Sequence, residues 1–112
     1  MKKWNGKRKE YYKGHLKFEG EYLNGKINGK GKEYDDDYFG KLRFEGEYLN
    51  GKRNGKGKEY INGKLKFEGE YLNNIKNGKG KEYDYDGKLI YVGEYLDGKR
   101  IKKKLFGSCI NI

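Results

Sequence analysis

Hydrophobic and polar positions alternate with a period of two along several stretches of the chain. Over residues 41–48, leucine, phenylalanine, glycine and tyrosine alternate with charged residues. Such alternation is typical of a β-strand with one buried face. Residues 50–55 are rich in residues that tolerate positive φ, and residues 56–60 alternate again. The pattern therefore predicts an outgoing strand, a turn over residues 50–55 and a return strand, which together form a hairpin.

This hairpin recurs with a period of about 23 residues. The block Phe-Glu-Gly-Glu-Tyr begins at Phe18, Phe44 and Phe67, and it drifts to Tyr-Val-Gly-Glu-Tyr at Tyr91. A second block, Asn-Gly-Lys-Gly-Lys-Glu-Tyr, ends at Tyr34 and recurs twice, and residues 5–11 hold a degraded copy. We predict about 4.5 units in one domain over residues 1–112. The units are an N-terminal half repeat or cap at 4–17, repeats at 16–34, 42–60, 65–83 and 89–107, and a C-terminal cap or tail at 105–112.

The units are expected to stack, because a lone hairpin is only marginally stable in water. No segment has the length or the 3.6-residue period of a helix, so the fold class is all-β, built of stacked β-hairpin repeats. Stacking in register predicts a core of leucine, phenylalanine and tyrosine columns. These columns are Leu16, Leu42, Leu65 and Leu89; Phe18, Phe44, Phe67 and Tyr91; and Tyr22, Tyr48, Tyr71 and Tyr95. The glycines at 29, 31, 55, 57, 78 and 80 are expected to leave room for these rings.

The two ends depart from the repeat. Residues 4–11 hold only a return strand, and residues 101–106 occupy the last return-strand position with lysines where Gly78 and Gly80 stand in the preceding unit. The apolar residues Leu105, Phe106, Ile110 and Ile112 can form a lid over the last hairpin or a docking tail, and we favour the lid.

Composition alone is closer to that of a disordered chain. Of 112 residues, 39% are charged, and the mean hydropathy is -1.27. Twelve tyrosines and five phenylalanines recurring in register argue instead for a folded array. No apolar run could cross a bilayer, no signal-like segment follows Met1, and the single cysteine, Cys109, weakly favours a reducing compartment. We expect a cytoplasmic protein, membrane-associated if its charges bind lipid.

The sequence FEGEYLNGKRNGKGKEY at residues 44–60 resembles the MORN (membrane occupation and recognition nexus) repeat, and the resemblance extends over residues 4–107. Glu33, Glu59 and Glu82 stand where an aromatic residue is common in the family, so the repeats look closer to the variant MORN repeat of bacterial proteins, some of them labelled as antitoxins. The resemblance implies an elongated, single-layer, twisted antiparallel sheet. It also implies non-enzymatic roles in protein scaffolding, self-association or attachment to acidic lipids.

The formal net charge of +10 is unevenly placed. On the strands, Glu45 and Glu47 are expected to pair with Lys56 and Lys58 across the hairpin. The predicted hairpin tips and the C-terminal segment supply a candidate surface for anionic membranes: Lys26, Lys52, Arg53, Lys76, Lys99, Arg100, Lys102, Lys103 and Lys104. The opposite connections are acidic, with Asp35, Asp36, Asp37, Asp84 and Asp86. A plainer interpretation is that the lysines keep an aromatic-rich sheet soluble.

Other chemistries are disfavoured. Nucleic acid is an unlikely partner because the rings are required in the core. Paired carboxylates such as Glu45 and Glu47 recur in every unit beside lysines, whereas a catalytic pair needs unlike environments. His15 and Cys109 have no evident catalytic or metal-binding partners, and no helix follows the Gly-x-Gly pairs to form a phosphate site. We predict no enzyme activity, no cofactor and no metal.

The leading hypothesis is a non-enzymatic scaffold that binds a protein partner, with self-association through end strands or a sheet face as one form of this. Two alternatives remain open. One is peripheral binding to anionic phospholipid membranes through the basic edge, and the other is antitoxin-like inhibition of another protein.

Overall fold

Nine strands form one antiparallel sheet in which every strand pairs with its neighbours in the sequence. The computed structural model describes residues 4–36, 39–101, 103–105 and 108–110, and the last two segments are described only as strands. The nine strands are β1 (Gly6–Tyr12), β2 (His15–Leu23), β3 (Lys26–Tyr34), β4 (Leu42–Leu49), β5 (Lys52–Ile61), β6 (Lys64–Leu72), β7 (Ile75–Tyr83), β8 (Leu89–Leu96) and β9 (Lys99–Arg100). With principal extents of 56 × 29 × 16 Å, the molecule is elongated, and the predicted all-β sheet of stacked hairpins is confirmed.

The last return strand differs from its prediction. Only β9, two residues long, pairs with β8, and β10 (Lys103–Leu105) instead pairs with β11 (Ser108–Ile110) as a separate two-stranded sheet. The sequence gives the reason, because residue 104 is a lysine where the preceding units have Gly57 and Gly80. A Cβ atom at Gly57 would lie 2.6 Å from Cε1 of Phe44, so a longer side chain does not fit against that ring. The side chains proposed as a lid lie outside the described residues.

The hairpin turns are shorter than predicted. In the second full unit only Asn50 and Gly51 form the turn, with φ of 50° and 84°, and β5 already begins at Lys52. Two successive positive φ angles are the signature of a type I′ turn, whose twist matches that of the flanking strands. Residues 52–55 therefore belong to the return strand and not to a loop.

The two glycines of each return strand have different roles. Gly57 lies under the rings of Phe44 and Tyr71, as predicted. Gly55 instead has a φ of 104° and faces the side chain of Glu47, where β5 has more residues than β4 between matched pairs. The first glycine thus permits a bulge, and only the second leaves room for rings.

The core consists mainly of rings on one face of the sheet. The buried apolar residues are Tyr22, Ile27, Phe44, Tyr48, Phe67, Tyr71, Tyr91 and Tyr95, with Trp4 and Phe18 packed against them. Neighbouring rings meet edge to face, as do Phe44 and Tyr71 with centroids 5.2 Å apart.

The predicted leucine column does not belong to this core. Leu16, Leu42 and Leu65 are only half-buried, and Leu89 is 50% exposed. A bulge precedes each outgoing ring: Phe44 lies opposite Glu33, Leu42 lies opposite Tyr34, and Arg43 is the extra residue between them. One extra residue reverses the alternation, so the leucine shares a face with Tyr34 instead of with Phe44.

Candidate functional site: the charged groove

A groove of about 1750 Å³ runs across the strands on the face opposite the rings. The second glycines of the return strands and the central glycines of the outgoing strands form its floor, paired across the sheet as Gly57 is with Gly46 and Gly69. The side walls alternate between basic and acidic strands. Its charged side chains include Lys7, Lys9, Lys30, Lys32, Lys56, Lys58, Lys79 and Lys81 and the acids Glu19, Glu21, Glu45, Glu47, Glu68, Glu70 and Glu94.

Internal hydrogen bonds hold most groove carboxylates. Oε1 of Glu47 accepts from the backbone N–H of Lys56 at 2.7 Å, and Glu21 and Glu70 make the equivalent bonds in their own units. The expected side-chain ion pairs from Glu45 and Glu47 to Lys56 and Lys58 are absent from the described residues, although Glu45 and Lys58 do lie opposite each other. The ammonium groups of the internal groove lysines, which are those on β3, β5 and β7, are thus accessible to solvent or to a ligand.

A row of tyrosines forms one rim of the groove. The hydroxyl of Tyr60 donates to Glu45 at 2.8 Å, that of Tyr83 donates to Glu68 at 2.5 Å, and Tyr34 donates to Glu19 in the same way. Burial and then the neighbouring carboxylate raise the pKa of Tyr60 to about 12, and the same causes raise the pKa of Tyr34 to about 12. This rim therefore stays neutral and hydrogen-bonded at physiological pH.

Exposed aliphatic side chains form the opposite rim, which we call the leucine ridge: Leu23, Leu49, Leu72, Ile75 and Leu96. Each of these side chains is about half exposed, between 46% and 56%. Lys26, Lys52 and Lys99 lie directly opposite three of the ridge leucines in neighbouring strands. Equivalent ridge leucines of successive units lie about 10 Å apart, since each unit contributes two strands about 4.8 Å apart.

The ring face, in contrast, is closed by cations. The guanidinium of Arg53 lies 3.9 Å from the centroid of Phe44, the ammonium of Lys76 lies 4.3 Å from that of Phe67, and Arg100 covers Tyr91 at 4.5 Å. Arg53 also forms a two-pronged ion pair with Glu33 at 2.9 and 3.0 Å.

The predicted anionic-surface residues are therefore divided. Lys26, Lys52 and Lys99 are exposed at the turn edge, whereas Arg53, Lys76 and Arg100 lie on the ring face, with both arginines bound to glutamates. The side chains of Lys102, Lys103 and Lys104 lie outside the described residues. Of the six residues whose side chains the structure describes, three therefore lie together on one exposed edge.

A family model for the MORN repeat matches residues 18–38, 44–64 and 67–88, which is more than half of the chain. The chain belongs to the MORN repeat family. MORN repeats are generally scaffolds for protein or membrane interactions, and the family is a non-enzymatic repeat family. None of the curated proteins compared with the chain matches it.

Two features of this MORN sheet were not identified from the sequence. The leucine ridge has a sequence signal in the Leu that precedes each predicted turn. Residues 22 and 23 must face opposite sides of a strand, so Leu23 lies on the face opposite the ring of Tyr22. The Glu33–Arg53 ion pair has no comparable sequence signal, because it joins β3 to β5 across the intervening strand.

Within the described parts of the chain, no group of three or more His, Cys, Asp or Glu residues is placed to hold a metal ion. No helix in those parts is long and apolar enough to cross a bilayer.

Proposed function

We propose that this MORN sheet is a non-enzymatic scaffold that binds a protein partner along the groove and its leucine ridge. The observation that carries the proposal is the ridge, five half-exposed aliphatic side chains in a row. Exposed apolar side chains that line one edge together with charged ones are characteristic of interaction surfaces. The ring face is a poor candidate, because Phe44 and Phe67 are fully buried and cations cover them.

The groove adds charge selectivity to this apolar contact. Its internal lysines make no described side-chain hydrogen bond or ion pair, whereas six of its glutamates accept bonds from the chain itself. A partner that places an apolar strip on the ridge and acidic groups over the groove would use both features. Charge complementarity of this kind favours partner selection and the rate of association more than affinity.

The test is retention of a partner from host-cell extract by immobilised protein, with variants that remove parts of the ridge. Leu49→Ser with Leu72→Ser should abolish retention while the sheet stays folded by circular dichroism, since both side chains are half exposed. Ile61→Ser is the matched control, because Ile61 is 49% exposed at the opposite edge. Equal retention by all three proteins would reject the ridge as the binding surface.

A second candidate function, peripheral attachment to anionic membranes, is supported by the lysines opposite the ridge leucines. An edge that carries both Leu49 and Lys52 could place apolar groups among the acyl chains and charge at the headgroups. Flotation with phosphatidylserine vesicles at physiological salt tests this candidate, using Lys26→Glu, Lys52→Glu and Lys99→Glu together. Binding that disappears in the triple variant supports attachment, and binding absent from the unmodified protein rejects it.

A further inference from the structure

We propose that the outer edge of β1 accepts an extended acidic segment of another protein as a tenth strand of the sheet. This proposal rests on the proposed scaffold function and specifies a second contact site for it. Within the described residues β1 pairs only with β2, so the backbone N–H and C=O groups along its other side have no strand partner. An open edge of this kind is a template for strand addition.

The charge pattern identifies the chemistry of the incoming strand. Each internal basic strand lies between two neighbours that bring acids or Val92 against it, as Lys58 of β5 lies opposite both Glu45 and Glu68. Lys7 and Lys9 of β1 lie opposite Glu21 and Glu19 on one side only. The alternation of basic and acidic strands is therefore incomplete at β1, and an incoming strand with acids at two alternate positions would complete it.

The ring face limits the other side chains of that strand. The rings of Phe44 and Phe67 lie over Gly57 and Gly80, the second glycines of their return strands. At the equivalent position β1 has Arg8. Arg8 lies 4.4 Å from the centroid of Trp4, and Trp4 meets Tyr22 edge to face at 5.5 Å, much as Phe44 meets Tyr71. Trp4 and Arg8 thus fill the place of a preceding phenylalanine.

This substitution distinguishes an outside partner from a second copy of the chain. A repeat strand of the Phe-Glu-Gly-Glu-Tyr type would bring its phenylalanine against Arg8 and Trp4, where the space is taken. A strand with the pattern Thr-Glu-Gly-Glu-Thr has the same acids but no ring, so it can pair antiparallel with β1 as every described neighbour in the sheet does. The occupant is therefore an acidic extended segment with small residues between its acids.

The experiment is a fluorescence-anisotropy titration of the full chain with labelled peptides at physiological salt. The probe contains Thr-Glu-Gly-Glu-Thr, one control has the same composition with adjacent glutamates, and a second control is N-methylated at alternate residues so that it loses backbone donors. We expect binding of the probe and at least about tenfold weaker binding of both controls.

Protein variants locate the site. Lys7→Gln with Lys9→Gln should weaken probe binding by about tenfold, while Lys41→Gln with Lys88→Gln, two exposed lysines outside the groove, should leave it unchanged. Equal loss in both double variants, equal binding of the N-methylated peptide, or no binding at all would overturn the proposal. A dimer of the unmodified chain that dissociates in the Lys7/Lys9 variant would also overturn it, by making a second copy the occupant.

This outcome is separable from that of the scaffold proposal. The Leu49/Leu72 variant retains β1 and should bind the peptide normally. If the peptide fails to bind while the ridge variant still loses its extract partner, only the β1 proposal fails.

Discussion

At the scale of single residues, Glu33 shows how a one-layer sheet gains cohesion between strands that are not adjacent. Its carboxylate accepts from the hydroxyl of Tyr48 and from the guanidinium groups of Arg43 and Arg53. The guanidinium of Arg53 in turn lies over the ring of Phe44. Burial raises the pKa of Glu33, but the hydrogen bonds from Arg53, Tyr48 and Arg43 together lower it by more. The pKa of Glu33 therefore lies below its usual value. Glu33 is therefore ionised and joins β3 to β4 and β5.

We expect Glu33→Gln to reduce the free energy of unfolding by about 2 kcal/mol, because the largely buried Arg53 would lose its closer counterion and keep only Glu59, at 3.8 Å. Urea denaturation at neutral pH measures this loss. Glu94→Gln, which neutralises a groove glutamate exposed to solvent, should change stability by less than about 0.5 kcal/mol. A similar loss in both variants would show that net charge, and not the buried ion pair, is responsible.

At the scale of the strand, crowding at the second glycine determines which sequences can serve as a return strand. We expect Gly57→Ala to cost about 3 kcal/mol, because its Cβ would lie 2.6 Å from Cε1 of the fully buried Phe44. Gly63→Ala is the control for backbone strain alone. Gly63 has a φ of 79°, and a Cβ there would meet only Cδ of Lys41, at 4.0 Å, so the cost should be about 1 kcal/mol. Equal losses in thermal or urea unfolding would contradict the crowding argument.

The sequence predicts the strands better than it predicts their details. Alternation and the Asn-Gly pairs suffice to place the hairpins, since both reflect local backbone physics. The bulge at Arg43 has no local signature, so the leucine column was assigned to the wrong face. The position of Arg53 on the ring face also depends on a third strand, because its guanidinium pairs with Glu33 of β3. Contacts between non-adjacent strands are where prediction from one unit fails.

At the scale of the whole molecule, electrostatics should limit stability at both ends of the pH range. The hydrogen bond from Arg100 is the main cause that lowers the pKa of Glu82 to about 2, below the value of about 4.3 for an unfolded chain. Its contribution is present above that unfolded value and is lost as the pH falls towards 2. Protonation of the 17 acids also leaves 27 Lys and Arg charges unopposed. For Tyr48, burial and the bond to Glu33 raise the pKa above 10, so the unfolded chain loses this proton first and stability falls as the pH rises past 10.

We therefore expect a urea midpoint that is constant between about pH 5 and pH 9 and falls on both sides. Glu82→Gln should lower the urea midpoint between about pH 5 and pH 9 and reduce its fall at acid pH. Tyr48→Phe should reduce the fall of the midpoint at alkaline pH. Added salt separates the two acid contributions, because it screens the repulsion among exposed lysines but acts weakly on the close Glu82–Arg100 pair. If salt abolishes the fall of the urea midpoint at acid pH completely while Glu82→Gln leaves that fall unchanged, net charge causes the acid sensitivity. In that case the Glu82–Arg100 ion pair has no measurable role.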